Sequence, residues 1–155
     1  MLKVYKASAG SGKTFRLVTE YLKMALKGDT RYRNILAVTF TNKATAEMKE
    51  RIISQLFLLS KGEDTAYKKI LLEETGFSGD VLIQKAGELL HNILFDYHRF
   101  AVSTIDSFTQ KIIKSFNREV GINPNYQIEL DNQIIVNESV DRIISTVGLN
   151  KKLQH

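Results

Sequence analysis

At 155 residues, 43% hydrophobic and 25% charged, the chain is long enough for one domain with a core, and its composition is that of a soluble globular protein. It contains no cysteine, which excludes a disulfide framework and a thiolate metal site and is compatible with a reducing compartment. A formal net charge of +5 suits a polyanionic partner without identifying one.

The first six residues, Met1-Leu2-Lys3-Val4-Tyr5-Lys6, are too few and too charged for a signal peptide. No apolar run approaches the roughly 18 residues of a membrane span. A cytoplasmic location without membrane contact is therefore expected. The three histidines, His91, His98 and His155, share no ligand spacing, so no metal box is read here.

Residues 3–6 read as a short strand that leads into Ala7-Ser8-Ala9-Gly10-Ser11-Gly12-Lys13-Thr14. Small residues let consecutive backbone N–H groups converge on an anion, and a helix starting at Thr14 turns its positive end toward the same point. Lys13 is placed to reach β- and γ-phosphates as a point charge, and the Thr14 hydroxyl to take a position on Mg²⁺. The stretch from Ala7 to Phe15 is thus the candidate nucleotide-phosphate site, with Lys13 and Thr14 as its catalytic pair. The strict phosphate-loop pattern has Gly six residues before the Lys, where this chain has Ala7.

Residues 15–27 have helical spacing, with Val18, Tyr21, Leu22 and Ala25 on one face, and Gly28-Asp29 ends the run. Residues 35–40 are continuously β-prone, as in a strand buried in a parallel sheet. Thr41 or Asn42 caps a second helix to about residue 60, with Ala44, Met48, Ile52, Leu56 and Leu59 on its apolar face. After a polar break at 61–64 come a short helix over 66–75, a Gly-Phe-Ser-Gly turn at 76–79, and a helix from an Asp80 cap to about residue 97. Leu82, Ala86, Leu89, Leu90, Ile93 and Tyr97 recur along that helix at core spacing.

Residues 100–105 predict another strand, and Asp106 or Ser107 a cap for a helix carrying Phe108, Ile112 and Phe116. A turn at 121–125 contains the only proline, Pro124; residues 126–130 alternate like a strand. Asp131 then caps a helix through residue 147 with Val136, Val140, Ile143, Ile144 and Val147 aligned. Four strands separated by helices predict an α/β fold with a parallel sheet flanked by helices.

The phosphate loop resembles that of superfamily 1 DNA helicases, in which Ala commonly stands first. With Ser8 and Phe15, it is most similar to the branch of the RecB and AddA helicase–nuclease subunits. Ala37-Val38-Thr39-Phe40-Thr41-Asn42-Lys43-Ala44-Thr45-Ala46-Glu47-Met48 closely resembles motif Ia of UvrD/RecB-type enzymes. By that resemblance Thr39, Phe40, Thr41 and Asn42 are candidate contacts to single-stranded DNA. Hydroxyls and amides suit phosphate oxygens, and an aromatic ring offers a sequence-tolerant stacking surface. A buried Phe40 in an ordinary β–α turn is the alternative.

Val102-Ser103-Thr104-Ile105-Asp106-Ser107-Phe108 matches the family's Thr-x-His-Ser/Gly-Phe motif, with Asp106 in place of His. A carboxylate repels phosphate, so Asp106 is expected to cap the helix, while Thr104 and Ser107 remain candidate phosphate partners.

The resemblance implies a P-loop NTPase of RecA-like fold, present here as an incomplete domain. Residues 1–130 would be the N-terminal portion of domain 1A, with a helical insert at about 61–98, and 131–155 the start of helical subdomain 1B. It further implies ATP and Mg²⁺ as cofactors, single- or double-stranded DNA as partner, helicase–nuclease subunits as companions, and roles in DNA repair and recombination. No upstream Gln that would read adenine precedes Ala7, and no apolar strand ending in Asp-Glu follows. The chain is thus expected to be an N-terminal fragment, inactive as an ATPase by itself. A P-loop NTPase that does not act on DNA and a non-enzymatic nucleotide- or DNA-binding module are the two rival readings.

Overall fold

The computed structural model describes residues 4–5, 12–116, 119, 121 and 132–147. Two compact units divide the chain, residues 1–112 and 113–155.

In the first unit, helix α1 spans Lys13–Ala25 and buries Val18, Tyr21, Leu22 and Ala25, one face at three- and four-residue spacing. It starts one residue before the expected Thr14, because Gly12 takes a left-handed conformation at φ 78° and the helix begins directly from it. A 3₁₀ turn, Arg31–Asn34, follows, and its Tyr32 is fully buried. The Tyr32 hydroxyl donates to the Asn92 carbonyl at 3.0 Å, tying this turn to the end of a later helix.

Strand β1, Ala37–Thr39, is shorter than the predicted 35–40. At one end the Ile35 N–H donates to Tyr32 O and so belongs to the 3₁₀ turn; at the other, Phe40 opens the turn into helix α2, Asn42–Ser60. The Thr41 hydroxyl caps α2 by accepting the Ala44 N–H at 3.1 Å. Met48, Ile52, Leu56 and Leu59 bury its inner face.

Helix α3, Ala66–Thr75, is capped by Thr65 and closed by Gly76 at φ 71°. Helix α4 spans Gly79–Phe95, and its cap is Ser78, whose side chain accepts the Val81 N–H at 3.4 Å; Asp80, the expected cap, lies in the first turn instead. A side-chain acceptor one residue before the first helical residue reaches the orphan N–H groups, and Ser78 holds that position. Asp96, at φ −121° and ψ 48°, leaves helical geometry, so Tyr97 falls in a 3₁₀ turn, Tyr97–Arg99, and not in α4.

Strand β2 is Val102–Thr104, not 100–105, since the Phe100 N–H is held by Tyr97 O and Ile105 already begins helix α5, Ile105–Ser115. Strands β1 and β2 pair in parallel, with Ala37 opposite Val102, Val38 opposite Ser103 and Thr39 opposite Thr104. The crossover between them is long because it carries α2, α3 and α4. Helices α1, α2, α3 and α4 share one apolar core, in which Ile52, Leu56, Leu71, Leu82 and Ile93 are fully buried. Each such side chain contributes about 1.5–3 kcal/mol relative to exposure.

In the second unit, helix α6 covers Asn132–Val147. Val136, Val140, Ile143 and Ile144 form an exposed apolar stripe on it. The chain is thus a helix-rich α/β protein with a two-stranded parallel sheet among the described residues. Lys3, Lys6, the predicted strand at 126–130 and the Asp131 cap lie outside them, while Val4 and Tyr5 adopt no strand pairing. No helix among the described residues is long and apolar enough to cross a membrane.

Candidate functional site

Of the phosphate-loop residues, Ala7, Ser8, Ala9, Gly10 and Ser11 lie outside the described residues, and Gly12 to Phe15 within them. Gly12 sits at φ 78° and ψ 20°, and a Cβ placed there would meet nothing within 4 Å among the described residues. The glycine is therefore favoured by backbone conformation. Its carbonyl accepts the Arg16 N–H at 3.0 Å, so the first N–H groups of α1 precede the helix's internal bonding and point from its start. The first turn holds no acidic residue and no side chain caps it, which leaves those donors and the positive end of the helix suited to an anion.

Lys13 is exposed and Thr14 half-buried. The Phe15 ring packs against Tyr67 of α3, with centroids 4.3 Å apart, so what Phe15 presents toward the loop is its backbone.

Arg16 lies one turn further along. Its guanidinium sits 5.0 Å from the centre of the Tyr5 ring, and its pKa is raised, first by the hydrogen bond to the Tyr5 hydroxyl. Lys23 binds Glu20 of its own helix at 2.8 Å and also Glu74 of α3. The hydrogen bond from Lys23 holds the Glu74 carboxyl below its usual range. Helix α1 is thereby fixed to α3 by an aromatic pair at its start and an ion pair further along. Sequence periodicity did not reveal this anchoring, because Tyr67 and Glu74 lie on a separate helix about 50 residues away.

The second group of residues lies at the C-terminal ends of β1 and β2. Parallel strands bring their C-terminal ends to one edge, and the register sets Thr39 directly opposite Thr104. Phe40 follows Thr39 and is 86% exposed, so the buried-ring alternative does not hold. Thr41 and Asn42 are exposed as well. The Thr39 hydroxyl lies 2.6 Å from that of Thr45 and 3.1 Å from the Thr41 carbonyl. Thr45, not among the predicted site residues, is thus part of this turn; its signal in the sequence was a hydroxyl four residues after Thr41, at the spacing that returns to the same helix face.

On β2, the Thr104 hydroxyl donates to Ser107 Oγ at 2.8 Å and accepts the Ser107 N–H at 3.2 Å. Thr104 therefore caps α5, and Asp106 occupies an exposed first-turn position; neither Asp106 nor Ser107 is the cap. A strand's last residue can serve as Ncap when the helix follows without a loop, and no loop separates β2 from α5.

The family described as UvrD/REP helicase N-terminal domain matches residues 3–155. Among similar proteins are ATP-dependent helicase/nuclease subunits A. That of Streptococcus mutans is 32% identical over 126 residues, 81% of this chain and 9% of the relative. That of Lactobacillus gasseri is 33% identical over 125 residues, 81% of this chain and 9% of the relative. That of Bacillus cytotoxicus is 33% identical over 142 residues, 89% of this chain and 10% of the relative. The chain spans about a tenth of the length of the curated relatives it matches. No solved structure matches it significantly. With the family match running over nearly the whole length, the chain belongs to the UvrD/REP helicase N-terminal domain family.

Proposed function

We propose that this chain forms the first part of the RecA-like domain 1A, and the beginning of subdomain 1B, of an ATP-dependent DNA helicase that acts in DNA repair or recombination. In this reading residues 7–15 hold ATP·Mg²⁺ and the edge built by Thr39, Phe40, Thr41, Asn42, Thr104 and Ser107 follows a single strand of DNA. The observation that carries it is the register placing Thr39 beside Thr104, which brings both hydroxyl-bearing turns and the exposed Phe40 ring to the same edge. A polar edge with one projecting aromatic suits a nucleic-acid backbone bound without base selection.

The donor set of α1 fits a nucleotide. A helix start with no acidic residue in its first turn suits phosphate oxygens, Lys13 adds positive charge, and Thr14 supplies a hydroxyl suited to Mg²⁺. Bound ATP·Mg²⁺ supplies the phosphoryl-transfer chemistry. What this chain's residues do is hold the phosphates, balance their charge through Lys13, and keep α1 fixed against α3 through Phe15–Tyr67 and Lys23–Glu74. In the complete protein, hydrolysis would open and close a cleft against a second RecA-like domain. The relatives are named as subunits A of a helicase/nuclease, which supports a partner subunit and an associated nuclease for this protein too.

The test is phosphate release by the full-length protein with and without single-stranded DNA. DNA-stimulated release that falls to background in Lys13→Ala supports the reading. Turnover indifferent to DNA favours a P-loop NTPase of another kind, and none at all a binding module.

A further inference from the structure

The hydroxyls of Thr39 and Thr45 lie 2.6 Å apart, and each also reaches the Thr41 carbonyl, at 3.1 Å and 3.2 Å. Two hydroxyls carry two protons, yet this cluster offers three contacts, so one contact is always without a proton. Two arrangements of the hydroxyl pair follow. In the first Thr39 donates to Thr45; in the second Thr45 donates to Thr39, and the Thr39 proton is left to the Thr41 carbonyl or to an acceptor outside the cluster. The Thr41 carbonyl loses little in the second arrangement, because it already accepts the Thr45 N–H at 3.0 Å. The neighbouring strand repeats the pattern: Thr104, directly opposite Thr39, donates to Ser107 Oγ, and the proton of the exposed Ser107 is spent on neither bond of that pair.

We propose that Thr45 is a positioning residue for nucleic-acid binding: by donating its hydroxyl proton to Thr39 Oγ1 it frees the Thr39 proton for a backbone phosphate, beside a second phosphate donor at Ser107. The proposal rests on the reading of this edge as the strand-binding surface. Thr45 itself touches no ligand. It sits in the first turn of α2, half-buried, and acts through Thr39. A hydrogen bond to a charged oxygen is about twice as strong as a neutral one, so phosphate binding drives the pair into the arrangement that exposes the proton. Without the Thr45 hydroxyl, Thr39 loses the donor that satisfies its own oxygen, and its O–H becomes the weaker donor to phosphate.

The experiment measures the dissociation constant of a fluorescein-labelled oligothymidine for the full-length protein, by anisotropy, in a double-mutant cycle. Thr45→Val keeps shape and branching and removes the hydroxyl; it is expected to weaken binding about three- to tenfold, with Thr45→Ser restoring it. In a Thr39→Val background the same change is expected to have no further effect, because there is no proton left to direct. Thr45→Ala replaces Thr45→Val if the latter fails to fold. Equal losses from removing the Thr45 hydroxyl in both backgrounds indicate a merely structural residue and overturn the proposal. So does unchanged binding in Thr45→Val while Thr39→Val and Phe40→Ala weaken it. If Thr39→Val and Phe40→Ala both bind normally, the strand-binding reading itself fails and takes the proposal with it.

Discussion

Gly12 and Phe40 show how opposite local requirements meet in one domain. Gly12 is held at φ 78°, where an L side chain costs about 1–2 kcal/mol, and no described residue lies within 4 Å of its Cβ position. Gly12→Ala is therefore expected to lower unfolding free energy by about that amount without a steric clash, read as a shift in urea midpoint at constant slope. A change below about 0.3 kcal/mol would mean that the loop re-forms with another residue in the left-handed position. Phe40 is the reverse case. Its ring is 86% exposed, so Phe40→Ala is expected to change stability by less than about 0.5 kcal/mol while weakening binding of single strands. A melting temperature several degrees lower would return the ring to the core.

At the scale of elements, the helix caps decide where the chain turns. Ser78, not Asp80, accepts the Val81 N–H at the start of α4. Ser78→Ala is expected to cost about 0.5–2 kcal/mol, and Asp80→Ala only the roughly 0.3–1 kcal/mol of a carboxylate near a helix N-terminus. Equal effects in thermal unfolding would refute the cap assignment. The same competition explains which parts of the fold were legible in the sequence. Helices with strong apolar stripes, such as the one burying Ile52, Leu56 and Leu59, were readable almost residue by residue, since burial and the 3.6-residue period coincide. Strand ends were not. Ile35 and Phe100 are β-prone, yet their N–H groups are taken by the 3₁₀ turns before them, a choice made by backbone bonding that apolar patterning does not record. Asp80 and Asp106 were likewise plausible caps by residue type, and each lost to a hydroxyl at the true Ncap position.

For the molecule as a whole, the motif residues were legible because phosphate and strand chemistry restrict residue type, whereas their supports were not, being contacts between helices distant in sequence. The Lys23–Glu74 pair is the clearest of those supports and gives a pH-dependent prediction. The Lys23 ammonium is disfavoured by partial burial, but hydrogen bonds to Glu20 and Glu74 outweigh this and leave its pKa raised. For Glu74 the hydrogen bond from Lys23 is the largest influence; burial opposes it, the charge of Lys23 adds to it, and the pKa is lowered from an ordinary 4.5. A lowered folded-state pKa means that the unfolded chain takes up the proton first as acid is added. The Glu74 contribution is thus complete above pH 4.5 and is lost as pH falls through the folded-state value. The Lys23 contribution, from a raised pKa, is complete below its ordinary 10.5 and is lost only as the solution becomes more alkaline than its folded-state value. Between those limits the tie between α1 and α3 is fully formed. Glu74→Gln is expected to lower the melting temperature at neutral pH and to approach the unsubstituted protein as pH falls from 4.5 through the folded-state value, followed by circular dichroism. Because both partners reach solvent, the difference is expected to shrink also with added salt. A gap between the two proteins that stays constant from neutral pH into acid would show that Glu74 acts through packing and not through its charge.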